Sequence, residues 1–229
     1  NDVSVIRGVL LGNLPPIPAG PQFQAADVNL DSSGGCGNGM IDVGDVTVIR
    51  RYNLGELALK PACGPLGPTS SRESEVGSQE SGIERVENST LSSPTRTIRA
   101  GGEMFARRAS VVTVPIEIES ADDANANNRT TTMSFTVGWN SGAFRLVEAR
   151  LGQNSPNDAS LAANTSQIAG GKLGLLIDSA TGFETGQRQI ILLRLAVETD
   201  AQNGIYPMTI DDSVTPRQTA GRDGEMLAT

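Results

Sequence analysis

Histidine is absent from the 229-residue chain. With it go the Ser-His-Asp triad, the Cys-His nucleophile pair and every zinc site that needs an imidazole. Aromatic residues are scarce at 3%, with one tryptophan, two tyrosines and five phenylalanines. A core must therefore be assembled from Val, Ile, Leu and Ala, a composition ordinary for β-rich domains. No apolar run approaches the ~20 residues of a membrane-spanning helix, and the longest, IILLRLAV, is interrupted by Arg194. Basic residues are outnumbered, 18 against 26 acidic, for a net charge of -8. Nucleic acid is excluded as an expected partner, because neutralising phosphates needs a basic surface. The chain begins at Asn1 and shows no signal peptide, as expected of a mature product or a fragment of a longer protein.

What is present is organised in three parts. NDVSVIRGVLLGNL at residues 1–14 aligns without gaps on GDVTVIRRYNLGEL at 44–57, with eight identities at a constant offset of 43. Each copy reads as an Asp, a short helix with apolar residues at helical spacing (Val3, Ile6, Leu10; Val46, Ile49, Tyr52) and a Leu-Gly stop. The intervening NLPPIPAGPQFQAA reads as a connector, since its prolines exclude a continuous helix. Residues 65–95, with eight serines, five glutamates and almost nothing apolar, read as a linker or a solvated loop. From residue 96 the hydrophobic period becomes two. VVTVPIEI places Val112, Val114, Ile116 and Ile118 on one face, and TMSFTVGW does so with Met133, Phe135, Val137 and Trp139. KLGLLID, RQIILLRLAVE and GIYPMTI follow, separated by turn-forming clusters. A β-sandwich is expected.

The most informative stretch is DVNLDSSGGCGNGMIDVGD, residues 27–45. A calcium loop of the EF-hand type places oxygen ligands at loop positions 1, 3, 5, 7, 9 and 12, with glycine at 6, because calcium is a hard cation taking six to eight oxygens. Asp27, Asn29 and Asp31 fit the first three positions. With the seven residues Ser32 to Asn38 set aside as an insertion, Gly39 takes the turn position. Met40 then supplies the backbone carbonyl, Asp42 takes position 9 and Asp45 closes the loop. Bound Ca2+ would also neutralise four crowded carboxylates, Asp27, Asp31, Asp42 and Asp45. The alternative is a turn in which Asx side chains simply bond the backbone.

A D-x-N-x-D start, a G-x-I-D-x-x-D finish and a helix running into R-R-Y and L-G make residues 1–60 resemble a dockerin, the small paired-calcium-loop module of bacterial extracellular assemblies. The insertion departs from that pattern, and the first repeat keeps only Asp2 of its loop, so one calcium site is expected here. Cys36 in the insertion and Cys63 beyond the helix are expected either to pair as a disulfide in an oxidising setting or to remain as two buried thiols. FTVGWNSGAFRLVEARLG and GKLGLLID make residues 96–229 similar to a cohesin-like domain, the nine-stranded jelly-roll partner of dockerins. In that family a final strand follows the stretch that here reads RDGEMLAT. The sandwich is thus expected to lack its last strand, or the chain to be cut.

The resulting expectation is a mostly β protein with a small α module: a dockerin-like EF-hand-type helical module over 1–64, a linker over 65–95 and a cohesin-like jelly-roll sandwich over 96–229. It implies a non-enzymatic structural and interaction protein, extracellular or at the cell surface of a bacterium or archaeon. Such a chain would be a subunit of a cell-surface or filamentous assembly, joined to copies of itself or to a cohesin- or dockerin-type module, or by strand donation. Thr47, Arg50 and Arg51 are candidate partner contacts, transferred from the family's use of that helix face; the alternative is an ordinary solvated face. Asn88, Asn128 and Asn164 head N-x-S/T sequons and are candidate glycosylation sites. The competing reading is a carbohydrate-binding or anchoring region of a larger secreted enzyme. A sugar platform needs exposed aromatics; here Trp139, Tyr52 and Tyr206 join five phenylalanines, and Trp139 is expected in the core with Met133 and Phe135. No acidic pair is placed by pattern to flank a glycosidic bond; Asp122 with Asp123 and Asp211 with Asp212 are adjacent acids in loops.

Overall fold

The computed structural model describes residues 2–29, 37–56, 96–120 and 129–227. Asp31, Cys36, Cys63, Asn88, Asn128, Asp122 and Asp123 lie outside the described residues, as does the stretch 57–95.

Among the described residues, three short α-helices come first: α1 (Asp2–Leu10), α2 (Pro21–Ala26) and α3 (Val43–Asn53). The two repeat copies form α1 and α3. Each stops where a glycine takes a left-handed conformation that a side chain would resist, Gly12 at φ 71° and Gly55 at φ 75°. Their facing apolar residues Ile6, Val46 and Ile49 close on Ala26 to make a small core. Tyr52 does not join it and is exposed. α2 was not expected in the proline-rich connector. It forms because Pro21 occupies the first turn, where the missing N–H has no helical partner to lose.

Ten strands follow: β1 (Arg96–Ala100), β2 (Val111–Ser120), β3 (Thr132–Gly138), β4 (Phe144–Leu151), β5 (Ser160–Asn164), β6 (Lys172–Asp178), β7 (Gly186–Val197), β8 (Thr209–Asp211), β9 (Gln218–Ala220) and β10 (Met226–Leu227). They build two sheets, one in the order β1-β2-β7-β4 and one in the order β10-β9-β3-β6-β5, with β8 pairing the far end of β3. The strand pairs are antiparallel. This is a mostly β fold, a two-sheet sandwich with a small α module.

The two sheets bury a common core of Ile98, Val114, Ile116, Ile118, Met133, Phe135, Val137, Trp139, Leu173, Leu175, Ile177 and Leu193. These are the period-two positions of the sequence, and each such side chain contributes roughly 1.5–3 kcal/mol on burial. GIYPMTI yields only the three-residue β8. Pro207 has no N–H for a ladder, which confines regular pairing to the residues after it. Trp139 is 7% exposed and donates its Nε1–H to the Phe144 carbonyl at 3.1 Å. It is a core residue and offers no sugar-stacking face.

Candidate interaction site

The outer face of the six-stranded sheet is where the helical module sits. Alternation along β6 sends Leu173, Leu175 and Ile177 inward and leaves Leu176 and Asp178 facing out. Leu176 and Ala220 pack there with Leu11 and Val43 in a second apolar cluster bridging helices and sheet. α3 therefore lies over β3 and β9, and its residues Thr47, Arg50 and Arg51 point at the sandwich.

Thr47 is 2% exposed, its Oγ1 lying 2.6 Å from Thr132 Oγ1 and 3.1 Å from Thr131 Oγ1. Thr131 has one proton, and its nearest carbonyl is that of Gly221 at 2.7 Å. With the Thr131 proton on Gly221, Thr47 donates to Thr131 and Thr132 to Thr47; the Val43 carbonyl, 3.4 Å from Thr47 Oγ1, is an alternative acceptor for the Thr47 proton. Arg50 pairs with Asp178 and bonds the Asp158 carbonyl, with the Asp158 carboxylate 3.5 Å away. Arg7 of α1 pairs with the other oxygen of the same Asp178. One fully buried carboxylate thus holds two arginines from the two repeat helices. Burial lowers the pKa of both guanidinium groups; for Arg50, Asp158 opposes that shift and Arg7 adds to it. Arg51 donates to the Arg222 carbonyl at 2.8 Å and to Asp223 at 2.9 Å, joining the end of α3 to the β9–β10 turn.

Two further contacts complete the seat. A Cβ on Gly44 would stand 2.3 Å from the Gly224 carbonyl, so backbone meets backbone there. At the end of α1, Asn164 of β5 donates its side-chain amide to the Leu11 carbonyl. Asn164 is 4% exposed, with its amide nitrogen already committed. This corrects the expectation of glycosylation at Asn164, since a glycan needs that nitrogen and open space. Nothing in the sequon itself signals the burial; the outward-facing position on β5 becomes buried only because α1 covers it.

The described members of the predicted calcium set, Asp27, Asn29, Met40, Asp42 and Asp45, lie beside this seat. Gly39 N–H donates to Asp27 Oδ2 at 2.9 Å and Asn38 N–H to the Asn29 carbonyl at 2.8 Å, bringing the two halves of the interrupted loop together. Asp42 caps α3, accepting from Gly44 N–H at 2.7 Å. Asp45 accepts from Val28 and Asn29 with one oxygen and from Asp42 with the other, each at 2.8 Å. Burial, then the charge of Asp42, push the Asp45 carboxyl up to about 8 against those three bonds. Burial likewise raises Asp27 against its backbone bonds, and its Oδ1 is buried with no hydrogen-bond partner. Met40 is exposed on the turn. An all-oxygen donor set with a desolvated, unpartnered carboxylate oxygen fits a hard divalent cation. Among the described residues no three acidic side chains gather as a metal-holding group, and both oxygens of Asp45 accept from backbone N–H groups.

Elsewhere, Asp211 bonds Ser213 and Asp212 bonds the Arg217 backbone. Both are turn-forming acids. No helix among the described residues is long and apolar enough to cross a membrane.

Solved cohesin modules are similar in structure to this chain. A chain of a type I cohesin–dockerin complex from Clostridium thermocellum shares 18% identity, with 58% of this chain and 92% of that one covered and a TM-score of 0.48. A non-cellulosomal cohesin from the archaeon Archaeoglobus fulgidus also shares 18% identity, with 58% and 83% covered and a TM-score of 0.45. For a cohesin module from a family 33 glycoside hydrolase of Clostridium perfringens the values are 15%, 59%, 89% and 0.45. No protein-family model and no curated protein matches the sequence.

Proposed function

We propose that the chain is a non-catalytic structural and interaction protein, acting outside the cell or at its surface, in which the helical module is a plug and the outer face of the six-stranded sheet its socket. The observation that carries this reading is the seat of α3. Thr47, Arg50 and Arg51, singled out from sequence as partner contacts, meet Thr131, Thr132, Asp158, Asp178 and Asp223 of the sandwich. A buried, charge-matched surface between two modules is the kind of contact that also forms between copies, plug of one chain to socket of the next. Repeated head to tail, such a heterologous contact makes a filament. Ca2+, held by Asp27, Asn29, Asp31, the Met40 carbonyl, Asp42 and Asp45, would stiffen the plug by cancelling their charge. The two cysteines and the oxygen-rich loop support an extracellular setting.

The test is analytical ultracentrifugation of the full chain across a hundredfold concentration range, with calcium and with chelator, followed by electron microscopy. Concentration-dependent growth into chains, abolished by Arg50→Glu and weakened by chelator, is the expected result. A monomer at every concentration in calcium would sink the assembly reading and leave a closed, self-capped molecule.

A further inference from the structure

A second recognition feature lies at the opposite side of the sandwich. β2 runs ten residues, Val111–Ser120, and pairs with β7 along its whole length. β1 covers only its second half, from Ile116 to Ser120. Beside Val111–Pro115 the chain has already turned away, through a segment that ends at Ala109 with φ 57°, the one positive φ outside glycine among the described residues. Val197 N–H donates to the Ser110 carbonyl, which directs Ser110, Val112 and Val114 at β7. Gly101 N–H donates to the Pro115 carbonyl, so Val111, Thr113 and Pro115 direct their backbone groups the other way. The N–H and C=O of Val111 and Thr113 meet no partner among the described residues. Pro115, lacking an N–H, occupies that same side.

Along this edge opens a cleft of about 750 Å³ that reaches the core at Val112, Val114, Trp139, Leu195, Val197 and Met208. Its two lips carry Phe105 and Ile205, 99% and 92% exposed. Arg107 and Arg108 line it, and among the described residues that line it Glu103 is the one acid, a basic rim on a chain of net charge -8.

We infer that this edge and cleft accept an extended peptide from a protein partner, about five ordered residues long, apolar at alternate positions and acidic at its flank. Only another strand presents N–H and C=O at the two-residue spacing of Val111 and Thr113. Its inward side chains fill the cleft over Val112 and Val114, and its acidic flank meets Arg107 and Arg108. A compact apolar molecule would leave the edge groups of β2 unpaired.

The probe is a fluorescein-labelled peptide of alternating valine and threonine flanked by aspartates, followed by fluorescence polarisation on the full chain. Thr113→Pro removes one donor on the open side without touching the β7 ladder, as Pro115 already does, and should weaken binding by about tenfold or more with thermal stability unchanged. Arg107→Glu with Arg108→Glu should weaken it further and remove its salt dependence. A peptide carrying proline at its threonine positions gives the reciprocal control on wild-type protein, independent of whether the Thr113 variant folds. No polarisation change, or equal affinity for the proline peptide, overturns the inference. So does self-association that Thr113→Pro abolishes in the absence of peptide binding, which would assign the edge to a second copy of this chain.

Discussion

At the scale of single residues, Asp178 matters most. It is fully buried and is the shared counter-ion of Arg7 and Arg50. Replacing it by a neutral group of the same shape leaves two desolvated guanidinium groups with one charge partner, Asp158, which lies at the edge of the seat. Removing one member of a buried ion pair costs about 3–5 kcal/mol. Asp178→Asn should therefore lower unfolding stability by that order in urea titration, while Asp178→Asn combined with Arg7→Met should recover part of it. Asp158 behaves differently. Burial alone would raise its pKa, but hydrogen bonds from Ser179, Thr181 and the Ala180 backbone outweigh burial and hold it below the ordinary carboxylate value. A depressed folded-state pKa means that its stabilisation is present above the unfolded value and is lost as pH falls through the folded one. The melting temperatures of wild type and Asp158→Asn should differ near neutral pH and converge below about pH 4. A gap that persists unchanged into acid would show that the carboxylate charge contributes nothing.

At the scale of elements, α3 starts where Asp42 and Asp45 form a reciprocal cap, each side chain accepting from the other's end of the first turn. In chelator, Asp42→Ala should cost about 1 kcal/mol, the usual worth of an N-cap. In calcium the loss should be larger if Asp42 is also a ligand, and thermal denaturation in both buffers separates the two roles. The stop of α3 was legible in the sequence because glycine termination is local chemistry, whereas its start, expected after Asp45, lies at Val43 because Asp42 caps it. The strands of the core were legible because a face buried between two sheets repeats every second residue. α2 was hidden by the prolines of the connector that leads into it, and β8 is shorter than GIYPMTI implied because Pro207 sits within the run. What one sequence could not display is the seat itself. Asp178, Thr132 and Asn164 stand at outward positions of β6, β3 and β5, with Thr131 and Asp158 just beyond the strand ends, and only the docked helices turn that face into an interior. Val111 and Thr113 looked like ordinary alternation for the same reason: an edge is a property of what stands beside a strand.

At the scale of the whole molecule, the contact between plug and socket depends on backbone approaching backbone, and that makes it separable from the stability of either part. Gly224 holds φ 84° in the β9–β10 turn, and a Cβ there would stand 2.7 Å from Asn29 Oδ1 and 2.9 Å from Val48 Cγ2. Gly55 has a similar φ of 75° with nothing within 4 Å of an added Cβ. The two positions share the cost of a left-handed side chain, roughly 1–2 kcal/mol, and differ only in reach. Gly55→Ala should destabilise locally and leave the seat closed. Gly224→Ala must in addition displace the Asn29 and Val48 side chains, loosening the packing of α3 on the sheet, so amide exchange should accelerate along Val46–Ile49 of α3 while the β2 and β7 amides remain as protected as in wild type. Equal exchange profiles for the two variants would mean that the helical module is held by its own fold rather than by the sandwich. An accelerated α3 in Gly224→Ala alone would mean that the socket keeps the plug in place, the property a subunit needs if its plug is to leave one socket for another.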